Sequence, residues 1–179
     1  PEAALPEATL GPGSPAEEAG SEGLTSEHLE TELKLGASAD FAIPALAGSF
    51  PDLVLSDAPT LQLEAVYFDT ADHVSYLAAA RRRPQRFKVR TRSYLDSGAC
   101  VLEVKTRDAR GRTVKHREPY DLASRSELSE LGRNFLAGVD QTAGVVDALV
   151  ARLTTDYRRA TLLVDEGAAR VTVDTDLQW

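Results

Sequence analysis

Residues 86–92, Arg-Phe-Lys-Val-Arg-Thr-Arg, carry a cation at every second position. Successive side chains of a strand point to opposite faces, so the four cations share one face and Phe87, Val89 and Thr91 share the other. Like charges about 7 Å apart along a strand repel one another, and no apolar side chain on that face offsets the repulsion. This pattern favours a strand whose charged face meets something long and negatively charged.

The charge of the chain is distributed unevenly. The net charge is −8, but residues 81–117 hold 13 Lys and Arg against 3 Asp and Glu, a local charge of +10. The other residues hold 7 basic and 25 acidic side chains, a local charge of −18. An acidic chain with one basic segment is not a general nucleic-acid binder, so we expect a lined groove or channel that focuses its field on an anion.

The composition excludes several classes of protein. No apolar run approaches the roughly 18 residues of a transmembrane helix, and no signal peptide opens the chain, so we expect a cytoplasmic domain without a membrane segment. The single cysteine excludes an intrachain disulfide and a cysteine-based zinc site. Single-stranded nucleic-acid binding is disfavoured, because the basic strands offer only Phe87 and Tyr94 for base stacking.

Residues 1–26 differ in amino-acid composition from the rest of the chain. They are rich in Pro, Glu, Ala, Gly and Ser and contain no aromatic or basic residue. Such a segment cannot bury enough apolar surface to offset its ordering entropy, so it is predicted to be a disordered acidic tail. A solvated linker is favoured over an autoinhibitory cover for the basic groove. The folded domain is predicted over residues 27–179.

The rest of the chain indicates an α+β fold with about seven strands, mostly antiparallel because their connections are short. Strands are predicted at 28–35, 61–69, 86–95, 99–107, 112–120, 156–164 and 169–175. A short helix followed by a loop is predicted at 38–50, a helical turn at 72–80, and helices after a capping box formed by Ser124 and Glu127 and at 141–153. One face of each strand is apolar and the other is charged. An open sheet could present the charged face to water, whereas a closed barrel would turn it inward as a tunnel with helices outside.

The first predicted strand carries Glu30, Glu32 and Lys34 on one face. Two neighbouring carboxylates repel each other, which favours a hard cation such as Mg²⁺ or Mn²⁺ that bridges carboxylates to phosphates. Alternating charges are common on exposed strands, so this signal is weak by itself.

Together with the basic strands, the pattern resembles the VTC domain of the CYTH-like, or triphosphate tunnel metalloenzyme, superfamily. The resemblance covers roughly residues 27–179 and rests on the ExExK pattern at 30–34 and on segments 66–70, 86–94, 102–105, 115–117, 157–159 and 170–174. It implies an antiparallel β-barrel that encloses a triphosphate tunnel. The pair Glu30 and Glu32 is closer to the triphosphatase members of the superfamily, since VTC members usually carry a more basic first strand. The strand that closes the family's barrel would follow Trp179, so we expect the barrel to lack its last strand or strands.

The resemblance also implies a set of functional residues. The catalytic cations would be Lys34, Arg90, Arg92 and Lys105. Further phosphate contacts would come from Lys115, Arg117, Arg159 and Arg170, and Lys88 joins them because it shares the strand face of Arg90 and Arg92. The ligands of a divalent metal, Mn²⁺ or Mg²⁺, would be Glu30, Glu32 and Glu103. For Glu103 an ion pair with a neighbouring cation is an equal alternative.

The implied partners are a nucleoside triphosphate and polyphosphate. The implied activity is a polyphosphate polymerase-like phosphotransferase, which would use the metal and pass the terminal phosphate to a growing polyphosphate chain. Two alternatives stay open at this point. One is a triphosphatase that passes the phosphate to water, and the other is a module that binds polyphosphate or inositol phosphates without turnover.

Overall fold

The computed structural model describes residues 54–55, 60–108, 110–164 and 169–179. The predicted tail at 1–26, strand at 28–35 and helix at 38–50 lie outside these residues. The strands are β1 (Val54–Leu55), β2 (Leu61–Asp69), β3 (Phe87–Tyr94), β4 (Ala99–Arg107), β5 (Thr113–Pro119), β6 (Val150–Val164) and β7 (Ala169–Gln178). The α-helices are α1 (Val74–Ala80), α2 (Glu130–Ala137) and α3 (Asp140–Ala143), and short 3₁₀ helices span Leu122–Ser124 and Val146–Ala148.

The strands form one antiparallel sheet in the order β1-β6-β2-β3-β4-β5, and β7 pairs with β6. Strands β2 to β5 form a meander. Strand β6 then pairs with β2 on the side opposite β3. The antiparallel α+β prediction is confirmed. The predicted β-barrel, expected to lack its last strand or strands, is not confirmed, because β5 and β7 form no pair with each other within the described residues.

One face of the sheet packs against the helices. Its strands contribute Val66, Phe68, Phe87, Val89, Cys100, Leu102 and Val104 to a single apolar cluster. The segment after β5 completes the cluster with Tyr120, Leu128, Leu136, Val139, Val146 and Leu149. The helix-covered face therefore contains the apolar members of the predicted strand pattern, as the period of two requires.

Helix α1 is held at the end of β2 by the carboxylate of Asp69. Its Oδ1 accepts from the backbone N–H of Thr70 at 2.8 Å and of Ser75 at 2.9 Å, and its Oδ2 accepts from Tyr76 N–H at 2.9 Å. The hydroxyl of Ser75 donates to the Phe87 carbonyl at 2.7 Å. These bonds satisfy free donors at the helix start and tie α1 to the beginning of β3.

Two helix predictions are wrong in detail. The helix predicted from Ser124 begins instead after Ser129, whose hydroxyl accepts from Gly132 N–H at 3.3 Å. The predicted helix 141–153 is replaced by α3, a 3₁₀ turn and the start of β6, because Val150 pairs with Asp69 of β2. Tertiary strand pairing there overrides an apolar spacing that also fits a helix. No helix in the described part of the chain could span a membrane, and the longest, α2, has eight residues.

Candidate functional site

The face of the sheet opposite the helices is lined by cations. We call it the cation face. It carries Lys88, Arg90, Arg92, Glu103, Lys105, Lys115, Arg117 and Arg159, since directly paired residues of neighbouring strands point to the same side. The structure thus brings together seven of the predicted cations and one predicted carboxylate.

The pairing register arranges these side chains in rows across the strands. Lys88, Lys105 and Lys115 are directly paired across β3, β4 and β5. The next row along the strands holds Arg90, Glu103 and Arg117. The lysine row and the arginines beside it concentrate positive charge on one face of the sheet, which suits an anionic ligand.

Glu103 lies at the centre of the cation face and is 2% exposed. Its Oε2 lies 2.7 Å from Arg90 Nε and 2.6 Å from Arg90 Nη2, and its Oε1 accepts from Arg117 Nε at 2.7 Å. Burial by itself would raise the pKa of Glu103, but the guanidinium groups of Arg90, Arg92 and Arg117 outweigh it and lower the pKa from 4.5 to about 2. The carboxylate is therefore ionised at neutral pH and organises the arginines around it.

Arg92 is the second buried charge of this face, at 8% exposure. Its Nε lies 4.0 Å from Glu103 Oε2, which is too long for a hydrogen bond. Within the described ranges this Nε is the only buried side-chain nitrogen or oxygen without a hydrogen-bond partner. A buried donor without an acceptor is costly, so this atom is a natural place for an oxygen of an anionic ligand.

The centre of the cation face is not open to bulk water. Leu63 and Ala65 of β2 lie on the same face as Arg92 and are as deeply buried as core residues. This shielding lowers the local dielectric, and it strengthens the interaction of these cations with an anion relative to an exposed patch.

Two tyrosines that were not predicted as site residues hold arginines of this face. Tyr67 accepts a hydrogen bond from Arg90 Nη1 at 3.1 Å through its hydroxyl. Tyr157 places its ring 5.3 Å from the Arg159 guanidinium. Period-two spacing already puts Tyr67 on the face of Leu63 and Ala65, but only the pairing of β2 with β3 brings it to Arg90.

Arg159 is also held by a carboxylate that was not predicted. Asp174 of β7 accepts from Arg159 Nε at 2.6 Å and from Nη2 at 2.7 Å. Hydrogen bonding to Asp174 is the main cause that raises the pKa of Arg159. Arg159 therefore offers its remaining donors from a fixed position at one end of the face.

The remaining predicted residues lie beyond what the structure describes. Glu30, Glu32 and Lys34 are outside the described residues, and Arg170 is placed only by its backbone pairing with Leu163. The described residues by themselves do not fit a metal centre, because both oxygens of Glu103 face guanidinium groups. No three His, Cys, Asp or Glu side chains of the described part come together as metal ligands would.

Two solved structures are similar to part of this chain. A candidate adenylate cyclase from Vibrio parahaemolyticus superposes with a TM-score of 0.47 at 13% identity, covering 77% of this chain and 63% of the other. A candidate adenylyl cyclase from Hippeastrum, described as having a dominant triphosphatase activity, gives a TM-score of 0.47 at 20% identity, with coverages of 74% and 66%. The chain thus spans slightly less than two thirds of each of these proteins.

A search of curated proteins gives no match. The family profile described as the VTC domain, in contrast, matches residues 31–179, which is most of the sequence and includes every strand of the sheet. The chain therefore belongs to the VTC domain family.

Proposed function

We propose that the cation face binds the triphosphate of a nucleoside triphosphate and that the domain transfers its terminal phosphoryl group to a growing polyphosphate chain. The observation that carries the proposal is the pair of rows on β3, β4 and β5, in which a lysine row lies next to arginines held around Glu103. Membership of the VTC domain family supports the same substrate class.

The two kinds of cation suit different parts of this task. A guanidinium is planar and can bind two phosphate oxygens at once, whereas a lysine supplies a mobile point charge. Arg90 is locked by Glu103 and Tyr67, so its remaining donors are presented without further ordering. Such preorganised positive charge stabilises the charge spread over the equatorial oxygens when a phosphoryl group is transferred.

In the proposed reaction a terminal oxygen of the polyphosphate chain attacks the γ-phosphorus. The bond from that phosphorus to the β–γ bridging oxygen breaks, and a nucleoside diphosphate leaves with the bonding electrons. The described side chains hold and neutralise the phosphates during this exchange. Metal dependence rests on Glu30 and Glu32, which remain predictions because they lie outside the described residues.

A second function, binding of polyphosphate without turnover, is favoured by the surroundings of Glu103. The Glu103 carboxylate pairs with Arg90 and Arg117 and fixes their positions. The fixed arginines can then hold an anion without any further charged group. In that case the domain would sense or store a polyanion. A triphosphatase would use the same contacts with water as the acceptor.

One experiment separates these functions. The purified protein is incubated with ATP and Mn²⁺, and both polyphosphate and free phosphate are measured. Polyphosphate supports the transferase, and free phosphate alone supports the triphosphatase. Neither product from a folded protein that binds tripolyphosphate supports the binding module.

A matched pair of variants then tests the face itself. Lys88→Ala removes an exposed cation from the lysine row and should weaken tripolyphosphate binding by about three- to tenfold. Arg158→Ala removes an exposed cation from the opposite side of β6 and should leave binding unchanged. Equal effects of the two variants would contradict the assignment of the site to the cation face.

A further inference from the structure

A cleft of about 640 Å³ lies where β3 begins and β4 ends. Arg82, Arg86 and Arg107 line it together with Ala79, Pro84, Asp108 and Gly111. Three arginines give this open cleft a strongly basic wall. None of these arginines belongs to the site described above.

The charge of this wall is not balanced by the carboxylate in the cleft. Asp108 accepts from the backbone N–H of Arg112 at 2.8 Å and forms an ion pair with Arg112 Nε at 3.4 Å. Arg86 donates one bond from Nη1 to the Arg83 carbonyl at 2.9 Å, which orients its guanidinium and leaves other donors available for a ligand. The cleft is thus suited to an anion with several oxygens.

The backbone around the cleft adopts costly conformations. Arg82 and Gln85 have φ angles of 52° and 55°, in the left-handed region that L side chains rarely adopt. Gly111, with φ 82°, leaves room for Arg107, whose Nη2 would lie 3.3 Å from a Cβ at that position. Two strained residues and a glycine with positive φ therefore shape the segment that presents the arginines.

The cleft adjoins one end of the cation face and also meets α1 through Ala79. The Arg107 N–H donates to the Arg86 carbonyl at 2.8 Å, so these two residues form the row that precedes Lys88 and Lys105. Side chains two residues apart share a face of a strand, and six residues from Arg86 to Arg92 span about 20 Å. A triphosphate that spans Arg90 and the lysine row ends one row, about 7 Å, before Arg86, whereas a longer linear phosphate chain along the same face would enter the cleft.

From this arrangement we infer that the cleft is a distal phosphate subsite that makes the domain prefer long linear polyphosphate over triphosphate. The inference rests on the proposed function, because it extends the same cation face. The distal subsite contributes affinity only when the ligand is long enough to occupy it.

The test measures the dissociation constants of the full chain for tripolyphosphate and for size-fractionated long-chain polyphosphate. Arg107→Gln should weaken long-chain binding about three- to tenfold and leave tripolyphosphate binding within about twofold. Arg82→Gly should do the same, and it removes a strained backbone position, so lost binding would not reflect unfolding. A long chain binds more tightly simply because it offers more positions for binding. Comparing each variant with the wild type for the same ligand removes this difference.

Two matched controls accompany these variants. Arg81→Gln removes an exposed arginine that does not line the cleft, and Gln85→Gly relieves the neighbouring strain without a change of charge. Both controls should bind each ligand as the wild type does. The subsite would be overturned if Arg107→Gln and Arg81→Gln lost equal affinity for long-chain polyphosphate. It would also be overturned if Arg107→Gln lost affinity equally for both ligands. Either result would leave the proposed function standing. A wild-type chain that binds neither ligand would overturn both.

Discussion

Replacing Glu103 by glutamine tests the arrangement on which the cation face depends. The carboxylate is 2% exposed and is bound through both oxygens by Arg90 and Arg117. A carboxyl whose pKa falls from 4.5 to about 2 on folding contributes roughly 3 kcal/mol to stability at neutral pH. Glu103→Gln removes this contribution and leaves buried guanidinium charge uncompensated, so we expect the free energy of unfolding to fall by about 3 kcal/mol at pH 7.

The pH dependence gives the sign of the effect. Because the folded-state pKa of Glu103 is depressed, its contribution is fully present above about pH 4.5 and is lost as the pH falls through 4.5 toward 2. Urea denaturation from pH 7 to pH 3 should therefore show the wild type approaching the variant as the pH falls. A difference below about 1 kcal/mol at pH 7, or one that does not change with pH, would refute the reasoning.

A matched control separates this effect from the loss of any strand carboxylate. Glu64 of β2 forms a single ion pair with Arg125, at 2.5 Å, on the helix-covered side, and both side chains are partly exposed. Glu64→Gln should therefore cost less than about 1 kcal/mol. An equal cost for Glu64→Gln and Glu103→Gln would show that the three-arginine environment is not the cause.

The same variant also reports on the ligand. Glutamine keeps an oxygen that can accept from Arg90 but removes the negative charge, so the variant should bind tripolyphosphate more tightly and gain more thermal stability from it than the wild type. If Glu103 acted mainly as a metal ligand, Mn²⁺-dependent activity would disappear without this gain in anion affinity.

Three further predictions concern residues that support the fold and the site. Asp69→Ala removes the acceptor of three N–H groups at the start of α1 and should lower the free energy of unfolding by roughly 2 kcal/mol, measured with urea; a change below about 0.5 kcal/mol would contradict this capping role. Gly132→Ala would place a Cβ 3.0 Å from the buried Tyr120 ring and should lower the free energy of unfolding by about 1–3 kcal/mol. In the control Gly144→Ala the new Cβ meets no atom within 4 Å, so stability should be nearly unchanged. Equal melting temperatures of the two variants would exclude the clash. Tyr67→Phe removes the hydroxyl that accepts from Arg90, so tripolyphosphate affinity should fall about two- to fivefold; unchanged affinity by calorimetry would show that Arg90 needs no such support.

Much of the sheet could be predicted from spacing, because alternation of side chains is a local property of an extended backbone. Phe87, Val89 and Thr91 are buried beneath the helices as predicted, and Arg90 and Arg92 lie on the other face. The helix predicted at 141–153 failed because its apolar spacing also suits a strand. Pairing with β2, which is distant in sequence, decides in favour of the strand from Val150.

The role of Glu103 could not be settled from the sequence, which left metal ligation and an ion pair as equal alternatives. The registers of β3 with β4 and of β4 with β5 decide its neighbours, since they put Arg90 and Arg117 directly beside it. Register depends on turn geometry and on burial of whole strands, and no single strand contains that information.

The sequence by itself determined which side chains share a face of each strand and that the basic charge lies in residues 81–117. Only the tertiary structure decided that β6 returns to pair with β2, which brings Arg159 onto the face of Arg90. It also decided that Glu103 is buried among arginines and that Arg107 lines a cleft with Arg82 and Arg86. The physical reason is that alternation follows from local backbone stereochemistry, whereas strand order and register follow from contacts between distant segments.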